Sequence, residues 1–239
     1  MSEPSDISDD YIAAKAENLL AGFAEWDPSR PVIPVSAELI AEQYLGYELD
    51  ITDQGIFKDP DYLAGIFFEE KVIRINQSLM SHEGRYNFTL AHEIGHHVLH
   101  LDGTHESLCR ETGNKPPLEQ QADLFAASLL MPASFVRAAF AQLEEGSLPS
   151  SKPTITSLRV LAARVVDCGG FANVSNTAMV NRLIDLGLVS GADYQTGTPW
   201  DYLRISGPAR RFLKKYVNES LLRWIASLRN RAIRRLRND

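Results

Sequence analysis

The chain has 239 residues, 44% of them hydrophobic, which suits a globular core domain with room for an appendage and excludes a disordered chain. No apolar run is long enough to span a bilayer, and the opening MSEPSDISDD is acidic where a secretory signal is basic and then apolar, so a cytoplasmic protein is expected. The net charge of −7 hides an asymmetry: residues 200–239 hold 11 Lys/Arg against 3 Asp/Glu, leaving 13 against 28 in the rest of the chain. An acidic body with a basic tail points to a tail that meets an acidic partner or the body itself.

In chain order, Ile12, Leu19, Leu20 and Phe23 with intervening alanines predict a helix over 10–23, broken by Pro28, Pro31 and Pro34. Ser36 is a candidate N-cap for a short helix over 37–45 that ends near Gly46. Residues 63–68 and 71–76 read as two strands, with Glu69 and Glu70 in a tight hairpin between them. A long helix over 83–101 follows, with Phe88, Leu90, Ile94, Val98 and Leu99 as its apolar positions. After a polar loop, residues from Leu118 to the break at Pro132 are helical again, and another helix covers 134–145. The stretch 146–153 is rich in Gly, Ser and Pro and marks a boundary between a domain over 1–148 and a helical region over 149–239. The expected fold class is α+β: a mostly helical core with a small β-hairpin or sheet. The two cysteines, Cys109 and Cys168, have no metal-ligand spacing and are expected to be buried reduced thiols.

The segment that carries chemistry is His92-Glu93-Ile94-Gly95-His96. Residues i and i+4 share a helix face, so His92 and His96 can bind one zinc ion. Glu93, adjacent to the first ligand, is placed to take a proton from a water activated by the metal and pass it to a leaving amine. A histidine-rich helix face without metal would show the same spacing. A catalytic zinc needs a third protein ligand. His100 continues the spacing, but eight residues of helix rise about 12 Å, too far from His92 to share an ion. His97 points to another face. Glu119, in Glu119-Gln-Gln-Ala-Asp123, is the better candidate. Asp123, one turn later, can accept a hydrogen bond from the non-ligating nitrogen of His92 or His96. His100 is read as a supporting or core-edge histidine.

Residues 88–100, FTLAHEIGHHVLH, and 119–132, EQQADLFAASLLMP, together resemble the ImmA/IrrE metallopeptidases. The hairpin ending Ile73-Arg-Ile-Asn76 and the stretch 171–189 also resemble that family, so the likeness spans roughly 10–190. It implies a gluzincin-like fold, zinc held by His92, His96 and Glu119, and Glu93 as the base. It further implies a protein substrate, a helix-turn-helix transcriptional repressor of a mobile element or of stress-response genes.

Three groups could stabilise the oxyanion, His105, Tyr62 and Tyr86, and the sequence does not choose among them. Residues 155–189 resemble a degenerate helix-turn-helix whose second helix starts at Ser175 and ends at Gly187. Its joining stretch, 167–174, is longer than usual, and its one cation is Arg182, so packing or substrate docking is preferred over DNA reading. The last helix, 217–237, carries an apolar stripe flanked by arginines. A lipid surface, nucleic acid, a partner helix and simple docking with solvated arginines all remain open for it. A second reading of the whole chain is a regulator or binding module that keeps the peptidase fold and acts by protein or DNA binding. The presence of Glu93 favours the enzyme, because a binding module can lose the base and keep the ligands.

Overall fold

The computed structural model describes residues 7–59, 61–100, 107–110, 116–144 and 155–189. The linker 146–153, His105 and the basic helix over 217–237 lie outside these residues. Helix α1 spans Asp9–Trp26. Ser8 caps it by accepting from the Tyr11 N–H, and Asp9 and Asp10 sit in the first turn, where the helix dipole favours acids. Its buried face, Ile12, Ala16, Leu20 and Phe23, follows helical spacing. Three residues past the predicted end, Trp26 stacks on Phe23. Helix α2, Ala37–Leu39, is capped by Ser36 and continues as a π-helical turn over Ile40–Tyr44.

The sheet has four strands where the sequence led us to expect two. They are β1 (Glu48–Thr52), β2 (Tyr62–Phe67), β3 (Val72–Asn76) and β4 (Ser107–Arg110), in the spatial order β1-β3-β2-β4. The expected hairpin is β2–β3, with Phe67 opposite Val72. The missed strands are its two edges, β1 parallel to β3 and β4 antiparallel to β2. None of the β1 residues is fully buried, so the strand lacks the apolar run that reveals its neighbours. Asn76 ties down the end of the hairpin. Its side-chain N–H groups donate to the carbonyls of Phe57 at 3.0 Å and Tyr62 at 2.9 Å, and its Oδ1 accepts from the Ser78 N–H.

Helix α3, Glu83–His100, lies against β2 and packs most extensively on α4, Pro117–Leu130, which also packs on α1. Helix α5, Ala133–Glu144, turns away after Pro132, and α6 (Ile155–Gly169) and α7 (Asn176–Asp185) follow. Val165, Phe171, Met179, Val180 and Leu183 from this last part join one continuous core with Ile40, Ile75, Ile94 and Phe125. Ser175 caps α7 and Gly187 follows its end at φ 67°, as expected.

Two expectations are corrected. Helix α6 runs to Gly169, so the connection to α7 begins at Gly170, whose φ of 71° permits the sharp turn. Cys168 is exposed, not buried: it lies on the outer side of α6, where its thiol donates to Gln142 Oε1 at 3.0 Å. Cys109 belongs to β4, and its side chain is not among those described. No single helix among the described residues is long and apolar enough to cross a membrane.

Candidate metal centre

The site forms where α3 and α4 approach one another. Gly95 sets that approach. A Cβ on it would come within 3.1 Å of the Phe125 ring and 3.2 Å of the Ala122 backbone, so only a glycine lets the two helices lie this close without displacement. The sequence carried a signal for this that went unread: glycine in mid-helix costs about 1 kcal/mol against alanine and invites a packing explanation.

His92 and His96 lie one turn apart on the face of α3 that meets the first turn of α4, where Glu119 stands. One ligand atom from each of the three falls within 4.8 Å of the other two. His92 Nε2 is 3.0 Å from His96 Nε2 and 3.1 Å from Glu119 Oε2, and His96 Nε2 is 3.2 Å from Glu119 Oε1. Tetrahedral bonds of about 2.1 Å would put ligand atoms about 3.4 Å apart, close to these separations. The other nitrogen of each histidine is also engaged. His92 Nδ1 lies 2.9 Å from Asp123 Oδ1, and His96 Nδ1 lies 3.0 Å from His100 Nδ1. His100 Nε2 in turn lies 2.9 Å from Gln121 Oε1. Gln121, 7% exposed, is a contact that sequence reasoning missed. His97 faces elsewhere, 2.9 Å from the hydroxyl of Tyr47, which burial pushes up to about 12 and so keeps protonated.

The electrostatics fit a cation. Burial holds His96 below its usual value, hence neutral and able to offer a lone pair. Burial works to raise the Glu119 carboxyl, but the His92 and His96 rings against it win and hold it well below the usual carboxylate range. Glu93 is fully buried, and neither of its carboxyl oxygens has a hydrogen-bond partner among the described residues. Burial pushes it up to about 8, opposed by His92 and reinforced by Glu119. A partnerless buried carboxyl demands an explanation, and a reactive role beside a metal and its water supplies one. Two imidazoles and a carboxylate converging on one point are suited to a divalent ion with borderline-soft preferences. The donor set therefore fits zinc.

Of the oxyanion candidates, Tyr86 is buried on α3. Burial, with Glu38 and Glu42 adding to it, pushes its hydroxyl up to about 12. It lines a cavity with Glu38, Glu83 and Asn173 whose lining includes none of the three convergent ligands. Tyr62 is half-buried on β2, where the pairing with β4 is irregular. Arg182, the one cation of the candidate DNA-reading helix, is only 4% exposed, and its Nε–H donates to the Met131 carbonyl at 3.0 Å. It serves packing and is not available to a phosphate.

Residues 48–149 match the family model described as Peptidase_M78, IrrE N-terminal-like domain. The matched span holds the whole sheet, α3 and α4, and is narrower than the 10–190 over which the motifs suggested a likeness. No curated protein matches the chain.

Proposed function

We propose that the protein is a zinc-dependent endopeptidase that cuts one regulatory protein, since residues 48–149 match the IrrE N-terminal-like domain model of Peptidase_M78, which is of metallopeptidase type. The observation that carries this reading is the partnerless buried carboxyl of Glu93 beside three converging ligand atoms. His92, His96 and Glu119 would hold the zinc. When bound, zinc supplies a Lewis acid that brings the pKa of a water towards about 7 and polarises a carbonyl.

The protein's own residues do the rest. Asp123 accepts from His92 Nδ1–H, which leaves Nε2 of that ring with its lone pair. Glu93, fully buried on α3, takes the proton of the attacking water on a carboxyl oxygen. It then returns that proton to the leaving amine nitrogen. A nearby dication favours the ionised carboxylate, which is the form a base needs. The family likeness suggests a helix-turn-helix repressor as substrate, linked to a mobile element or a stress response. The burial of Arg182 speaks against direct DNA reading by α7.

The test is cleavage of a candidate repressor on co-expression, comparing wild type with Glu93→Gln. The amide cannot accept the proton, so cleavage should fall by about 10²–10⁴-fold while zinc content stays at one ion per chain. Cleavage by Glu93→Gln at the wild-type rate would remove Glu93 as the base.

A further inference from the structure

The two metal-facing imidazoles are oriented by different means. Asp123, a carboxylate, only accepts, so His92 Nδ1–H must donate to it and Nε2 keeps its lone pair. His96 is oriented through a chain of imidazole and amide groups: its Nδ1 meets His100 Nδ1 at 3.0 Å, and His100 Nε2 meets the Gln121 side chain at 2.9 Å. A neutral imidazole carries one N–H, so protons in this chain can run in either of two directions. With the amide oxygen towards His100, the His100 Nε2–H donates to it, His100 Nδ1 accepts from His96 Nδ1–H, and His96 Nε2 is left bare. With the amide reversed, Gln121 donates, each proton moves to the other nitrogen, and His96 Nε2 carries a hydrogen that blocks ligation. The structure holds the amide in the first orientation, with Oε1 towards His100.

We propose that Gln121 is a positioning residue for the metal centre, setting through His100 the direction of the hydrogen-bond chain that keeps His96 Nε2 open to the ion. The chain is built into the fold: His96 and His100 are one turn apart on α3, and Gln121 is buried on α4 two residues after Glu119. The same helix contact that delivers the third ligand thus delivers the group that fixes the tautomer of the second. The inference rests on the reading of His92, His96 and Glu119 as zinc ligands.

The experiment titrates the full chain with zinc alone, against a chromogenic chelator, and records the thermal midpoint of the metal-free protein. Gln121→Met removes the acceptor without adding charge and should weaken zinc binding about 10–100-fold at an unchanged metal-free midpoint. Gln121→Glu keeps an acceptor of the same shape and should bind zinc at least as tightly as wild type. His100→Phe breaks the chain at its middle and should repeat the loss seen with Gln121→Met, which covers the case of a methionine variant that fails to fold. Wild-type affinity in either Gln121→Met or His100→Phe overturns the proposal. So does a loss in Gln121→Glu equal to that in Gln121→Met, the mark of packing alone. A wild-type protein that binds no zinc defeats the reading of the metal centre itself, and this inference with it. One zinc bound by the wild type and by the Gln121→Met variant with equal affinity defeats only the inference.

Discussion

Glu93 and Glu119 are two carboxyls in one site driven in opposite directions by their surroundings. Glu119 lies against two imidazoles whose influence outweighs its burial, whereas Glu93 is wholly enclosed and has no hydrogen-bond partner among the described residues. Glu119→Ala should therefore leave two ligands and sharply reduce zinc content, which elemental analysis would read; undiminished zinc would exclude Glu119 as a required ligand. The metal-free protein offers a second check. The Glu93 carboxyl rises from an ordinary 4.5 to about 8 on folding, so between those values the folded state holds a proton that the unfolded state has lost. Its contribution is intact below pH 4.5 and is lost as pH rises to 8, at up to about 1.4 kcal/mol per pH unit. Urea unfolding of chelator-treated protein should show the stability of wild type falling over that window relative to Glu93→Gln, since the lowered His96 and His97 act in the other direction equally in both proteins. Equal slopes for the two proteins would mean that Glu93 is not held protonated.

Among the elements, α3 and α4 matter most, because the distance between them is the distance between ligands. Gly95 stands at their contact, and Gly95→Ala brings a methyl group within 3.1 Å of Phe125 and 3.2 Å of Ala122. The helices must give way by a few tenths of an ångström, and Glu119 moves with α4. We expect normal helix content by circular dichroism, since alanine favours helix by about 1 kcal/mol, together with zinc affinity lower by about tenfold. Wild-type affinity in this variant would show that the contact has slack. Edge strands were the elements hardest to read in advance. Strand β1 alternates polar and apolar residues over five positions, a short pattern whose outer side faces no second layer of core.

At the scale of the molecule, α6 and α7 are fastened to the rest of the described fold by polar contacts at several points. Arg182 donates to the Met131 carbonyl at the end of α4, Arg137 to the Leu186 carbonyl, and Asn173 to the Val35 carbonyl. Of these, Arg182 is the most enclosed. Arg182→Met should leave the Met131 carbonyl without its donor and cost about 2 kcal/mol, measured as a lower urea midpoint at unchanged slope. An unchanged midpoint would make this contact incidental to stability. If the arginines of the basic segment over 200–239 meet an acidic partner, affinity should fall steeply with salt, because screening acts within about 8 Å at physiological ionic strength.

The candidate metal ligands and the proposed base were legible in the sequence because helical spacing is local. Four residues make one turn, so His92 and His96 share a face whatever surrounds them, and Glu93 stands beside them by covalent connection alone. Glu119 and Asp123 were legible as a pair for the same reason. That this pair faces His92 was expected only on motif grounds, since no local rule brings α4 to α3. The tertiary structure decided what depends on contacts between distant segments. It set the four-strand order of the sheet, the burial of Arg182 that turns a candidate reading helix into a packed one, and the exposure of Cys168. It also brought Gln121 beneath His100. A glutamine two residues after a ligand lies on a different side of its helix from that ligand, and only the close approach that Gly95 permits gives that side a histidine to meet.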